Sequence, residues 1–103
     1  MAYSNPQQGS GEEMKRLRAE VGKRLRTMRE AVEKTQREVA AEVGFDYYTM
    51  VSQIENGKTR IPPSQVVSYA KALRIPPKEF AKLLMQYYDP LMFEILFTNK
   101  HER

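Results

Sequence analysis

Residues 35–56 read TQREVAAEVGFDYYTMVSQIEN, and this stretch decides how the rest of the chain is interpreted. Thr35 is placed to cap a helix. Its side-chain oxygen can accept a free backbone N–H, and Glu38, three residues on, completes a capping box. Val39, Ala40 and Val43 then recur at helical spacing. Gly44 closes the helix, because glycine enters a left-handed turn without steric penalty. Asp46 is placed to cap a second helix through Tyr47–Ile54, with Met50, Val51 and Ile54 inward and Asn56-Gly57 stopping it. Two short helices, Gln36–Val43 and Tyr47–Ile54, thus flank the turn Gly44-Phe45-Asp46. This is the spacing of a helix-turn-helix. In such a unit the first helix braces across the sugar-phosphate backbone and the second offers its N-terminal residues to base edges in the major groove. Ala40 matters for packing, since a larger side chain would push the two helices apart. Small helical bundles without a nucleic-acid role also join short helices at a glycine, so spacing alone leaves both readings open.

Upstream, Ser10 and Glu13 form a second capping-box pattern ahead of a long amphipathic helix. Met14, Leu17, Val21, Leu25, Met28 and Val32 fall on one face, and the helix is expected to end between Ala31 and Lys34. Downstream, Lys58 to Pro63 is a basic loop. Ser64 is placed to cap a helix that buries Val66, Val67, Ala70 and Leu73. Ile75-Pro76-Pro77 breaks that helix, and proline suits the first turn of the next, which is expected to bury Phe80, Leu83, Leu84 and Tyr87. Asp89-Pro90 opens a last helix, Leu91 to Phe97. No strand pattern and no repeat of 20–50 residues is present. The expected fold is all-α, a compact bundle of five to six helices with a long N-terminal helix and an added C-terminal one. Its expected organisation is an arm at 1–11, the helix-turn-helix domain at 12–86, a helical extension at 87–98 that dimerises, and a tail at 99–103.

The totals fit this reading. A chain of 103 residues with 41% hydrophobic and 29% charged residues suits one globular domain. The absence of cysteine excludes disulfides, thiolate zinc sites and thiol catalysis together. His101 stands alone in the tail and no glycine-rich phosphate loop occurs, so no enzyme activity, cofactor or metal is expected. No apolar run reaches the roughly 18 residues needed to span a bilayer, and Met1 to Pro6 lacks a secretory pattern. A cytoplasmic protein without membrane contact is expected. The net charge is +4, unevenly distributed. Between Met14 and Arg29 there are seven bases and one acid, whereas from Lys78 onward four bases meet four acids. Such asymmetry suits a polyanion. The alternative is a merely solvated helix face.

In combination these motifs resemble the XRE family, the regulators related to the phage lambda and 434 repressors and Cro. The matching segments are Val21-Gly-Lys-Arg-Leu-Arg-Thr-Met-Arg, Thr35-Gln-Arg-Glu-Val-Ala, Val43-Gly-Phe and Val51-Ser-Gln-Ile-Glu-Asn-Gly-Lys, followed by Pro62 to Leu73 and Ile75-Pro76. The resemblance covers about Val21 to Leu84 and implies a five-helix bundle of the phage-repressor type. It also implies sequence-specific binding of double-stranded DNA, commonly as a dimer. By resemblance, Gln36 contacts phosphate and touches the recognition helix. Tyr47, Tyr48 and Thr49 face base edges, with Ser52 and Gln53 one turn later. Glutamine can pair with adenine in bidentate fashion. Asn56, Lys58, Thr59 and Arg60 match the loop that grips the backbone, and Arg26 is placed with these phosphate contacts. One departure stands out. Ten residues separate Gly44 from Glu55, where the family pattern has nine, which leaves the first base-reading residue open.

Several residues carry two readings. Tyr47 and Tyr48 are either packing residues or contacts to phosphate and thymine methyl groups. Glu55 is expected to be structural, pairing with an arginine of the first helix. Arg16 and Arg18 either reach flanking phosphates or are solvated. The segment Tyr87 to Phe97 is too apolar to stand exposed, so it closes the core or forms a seam between two copies. A homodimer through Tyr88, Leu91, Met92, Ile95 and Leu96 is favoured, which predicts a palindromic operator and a repressor. The alternative is an antitoxin or adapter that uses the same domain to hold a protein partner.

Overall fold

The computed structural model describes residues 11–102. The capping box at Ser10 and nearly all of the expected arm lie outside the described residues. Among the described residues there are six α-helices: α1 (Gly11–Ala31), α2 (Gln36–Val43), α3 (Thr49–Glu55), α4 (Val66–Ala72), α5 (Pro77–Tyr88) and α6 (Pro90–Phe97). Among the described residues there is no strand. The fold is all-α, as the sequence predicts.

α1 is the frame. Its residues Val21 and Leu25 are fully buried, while Met14, Leu17 and Met28 are half-buried along the same stripe. It packs on both α3 and α5. α2 forms where its caps dictate. Thr35 Oγ1 accepts from Glu38 N at 3.1 Å, and Glu38 Oε1 accepts from Thr35 N at 2.8 Å. At the other end Gly44 adopts φ 95°, a left-handed conformation that favours glycine, and its N–H bonds Ala40 O at 2.9 Å.

The second helix of the motif starts later than Asp46 predicts. α3 begins at Thr49, and no side chain caps it. The contacts of Phe45 account for the shift. Phe45 N bonds Ala40 O at 2.9 Å, and its ring meets Tyr69 edge-on at 6.2 Å, so Phe45 is tied to the end of α2. Asp46 to Tyr48 then carry the chain to α3 through tight bonds from Met50 N to Tyr47 O and from Val51 N to Tyr48 O.

Other expectations for α4 and α5 are corrected. A short 3-10 turn, Pro63–Gln65, precedes α4, so Ser64 does not cap an α-helix. Val67 is 51% exposed, and Tyr69 takes the inward position instead, stacking on Phe80 at 5.9 Å. On α5, Leu83 and Tyr87 are only half-buried, whereas Tyr88 is buried with Phe80 and Leu84. α5 runs on through Tyr88, and the chain turns at Asp89.

Candidate nucleic-acid interface

The position of α3 is fixed by a buried ionic cluster at its C-terminal end. Arg29 of α1 donates from Nε to Glu55 Oε2 at 2.6 Å and from its NH2 nitrogen to Glu55 Oε1 at 3.1 Å. Its remaining terminal nitrogen donates to Lys34 O at 2.8 Å. Gln36 Nε2, at the start of α2, donates to Glu55 Oε1 at 3.0 Å. Three helices thus meet on one carboxylate, and both Arg29 and Glu55 are buried. The hydrogen bond it donates to Glu55 holds the Arg29 guanidinium above its ordinary pKa. A buried bidentate pair of this kind is geometrically specific. Removing one partner leaves an uncompensated charge. Glu55 has the structural role expected of it.

The close approach of α1 and α3 needs Gly22. A Cβ at that position would lie 2.3 Å from Glu55 O. Only a hydrogen fits between the two backbones there. The sequence gives one signal for this, a glycine in the middle of an otherwise good helix.

With its inner face held, α3 turns the other face outward. Tyr47 is 74% exposed, and Thr49 and Gln53 are exposed one turn apart. With Phe45, Asp46, Met50 and Gln65 they line a recess of about 350 Å³. Ser52 is half-buried, and its hydroxyl accepts from Asn56 Nδ2 at 3.4 Å. The two adjacent tyrosines differ. Tyr48 carries the Arg37 guanidinium over its ring at 4.2 Å, a cation–π contact that steadies the start of α3. Tyr47 makes no ring contact among the described residues.

The residues expected at phosphates are placed less uniformly. Asn56 and Lys58 are exposed beside the end of α3, and Thr59 is half-buried. Gln36 commits one amide N–H to Glu55. Arg26 is exposed and pairs with Glu30 at 3.2 Å. Arg60 bonds Asp89 at 3.0 Å and lies over the Tyr88 ring at 4.6 Å, tying the loop to the start of α6. Arg16 bridges Glu13 and Glu20 on its own helix, and Arg18 is half-buried with its Nε enclosed without a partner. The basic run of α1 is therefore partly neutralised within the protein. Local sequence charge overstates what it offers to solvent.

At the C-terminus the expected seam needs one correction. Tyr88 lies in the monomer core at 4% exposure, where its hydroxyl accepts from Ile61 N at 3.3 Å. Burial pushes its pKa up. Leu91, Met92, Ile95 and Leu96 remain exposed. Among the described residues no group of His, Cys, Asp and Glu could hold a metal ion, and no helix is long and apolar enough to cross a membrane.

Neither a curated protein nor a solved structure matches the chain. A family model described as a helix-turn-helix domain matches residues 20–83, well over half of the chain. The matched region takes in the Arg29–Glu55 pair, the close contact at Gly22 and the whole α2–turn–α3 unit. On the arrangement of α2 and α3 and on that match, the chain belongs to the helix-turn-helix domain family.

Proposed function

We propose that this protein is a sequence-specific regulator that binds double-stranded DNA, acting as a repressor by occupying a palindromic operator as a homodimer. The observation that carries the reading is the outward face of α3. Thr49 and Gln53 stand exposed on a helix whose inner side is locked by Glu55, and Tyr47 stands exposed in the turn just before it. A helix held this way can enter a major groove about 12 Å wide without reordering. Asn56, Lys58 and Thr59 follow at its end, where the sugar-phosphate backbone runs. Affinity comes from counterion release and selectivity from α3, so the mechanism needs no bond-making step.

In this reading residues 12–86 form the DNA-binding unit and the chain beyond Asp89 joins two copies. The exposed residues Leu91, Met92, Ile95 and Leu96 supply the apolar surface for that contact. A twofold dimer places two copies of α3 about 34 Å apart, matching half-sites one helical turn apart.

The test is a selection on random duplexes at several salt concentrations, with the solution mass measured in parallel. A recovered palindrome and a mass twice the 12.0 kDa of one chain is the expected result. Binding that does not distinguish one duplex from another sinks the regulator reading. A monomer that associates only with a different protein favours the antitoxin or adapter reading.

A further inference from the structure

We propose that the recess beside Tyr47 takes the edge of a thymine, with its 5-methyl group against the Tyr47 ring. The inference rests on the duplex-binding reading above and assigns a base to one part of it.

Tyr47 is the most exposed large hydrophobic residue of the described chain, and it forms the rim of the recess. Phe45 and Met50 supply apolar wall beside it. Thr49, Gln53 and Gln65 supply a hydroxyl and two carboxamides. In the major groove a thymine presents a methyl group next to the O4 acceptor. That edge fits the mixed lining: the methyl meets the aromatic and thioether wall, while a carboxamide N–H or the Thr49 hydroxyl donates to O4. Cytosine, adenine and guanine present no methyl. The Asp46 carboxylate also lines the recess; it would repel a phosphate, and it can accept from the N6 amine of the adenine paired with the thymine. Positive charge lies next to Tyr47 on Arg37, held over Tyr48, complementing the duplex as a whole.

The two tyrosines therefore divide their roles. Tyr48 is occupied by Arg37. Tyr47 lies in the turn that follows Phe45, which is anchored to the end of α2 and to Tyr69.

The test uses the full chain and the duplex recovered by selection, with each thymine replaced in turn by deoxyuridine, which lacks only the methyl. One thymine per half-site is expected to show a loss of roughly fourfold, the worth of one buried methyl. Tyr47→Ala should abolish that loss while still preferring the same duplex, and Tyr47→Phe should keep it. The proposal falls if no thymine is sensitive, if Tyr47→Ala retains the full sensitivity, or if Tyr47→Phe removes it. It also falls if a methyl effect appears only on converting cytosine to 5-methylcytosine. Failure to select any duplex would instead overturn the DNA-binding reading itself.

Discussion

Helices α3 and α6 are almost equal in length, seven and eight residues, yet they stand in opposite relations to the rest of the molecule. α3 buries Val51, Ile54 and Glu55 and turns polar residues outward. α6 buries no residue fully and exposes Leu91, Met92, Ile95, Leu96 and Phe97. Helices this short are marginal alone in water, so each needs tertiary support. α3 receives it from inside the chain through hydrophobic contacts and a three-helix ionic cluster. α6 rests on α5, with Lys82 over the Phe97 ring at 4.6 Å, and on the Arg60–Asp89 bond at its start. The first helix is finished as a tool held at a fixed angle. The second leaves an exposed apolar stripe at positions i, i+1, i+4 and i+5.

The sharpest way to break the contrast is to unlock α3. Glu55→Ala leaves the Arg29 guanidinium buried without its partner, and chemical denaturation should show a loss of about 3–5 kcal/mol. A much smaller loss would mean that the cluster does not hold α3. Gly22→Ala forces a methyl into the backbone of α3 and should cost about 1–3 kcal/mol. Its effect on DNA affinity should exceed that of a surface change of equal stability, because α3 itself must shift.

The proposed function separates α3 from the loop that follows it. Gln53→Ala should relax preference at one base pair by about 1–3 kcal/mol, whereas Lys58→Ala should weaken all duplexes alike and flatten the salt dependence. Salt-series binding isotherms on cognate and scrambled duplexes distinguish them. Equal loss everywhere for Gln53→Ala would remove it from base reading.

The core behind α3 offers a change of opposite sign. The Tyr69 hydroxyl is buried with no hydrogen-bond partner among the described residues, and desolvation raises its pKa. Tyr69→Phe should therefore stabilise the fold by about 1 kcal/mol, read as a higher denaturation midpoint. The smallest effect on stability belongs to α6. The double change Met92→Glu with Leu96→Glu should alter monomer stability by about 0.5 kcal/mol or less and yet abolish self-association in sedimentation. A large loss of monomer stability would show that α6 belongs to the core, and the contrast drawn above would fail.

Much of this architecture is legible in local chemistry. The Thr35 capping box, the Gly44 C-cap and the Asp89-Pro90 start of α6 each involve residues within a few positions of one another, so the chain encodes them directly. The face of α1 follows from spacing alone. Tyr69 was also within reach, lying three residues after Val66 and four before Leu73 on the helical period. The start of α3 was not, because Asp46 has cap chemistry but Phe45 is held by α2 and Tyr69. The pairing of Arg16 with Glu13 and Glu20 and of Arg26 with Glu30 is also local, because residues three and four apart on a helix are neighbours.

By itself the sequence determined an all-helical chain, the positions of its caps and breaks, and a motif suited to a nucleic-acid groove, because those depend on residues near each other along the backbone. Tertiary structure alone decided which tyrosine stands free, that Tyr88 turns inward to Ile61, and that one hydrogen at Gly22 sets the distance between α1 and α3. Those outcomes depend on groups brought together from distant parts of the chain, whose meeting no local pattern specifies.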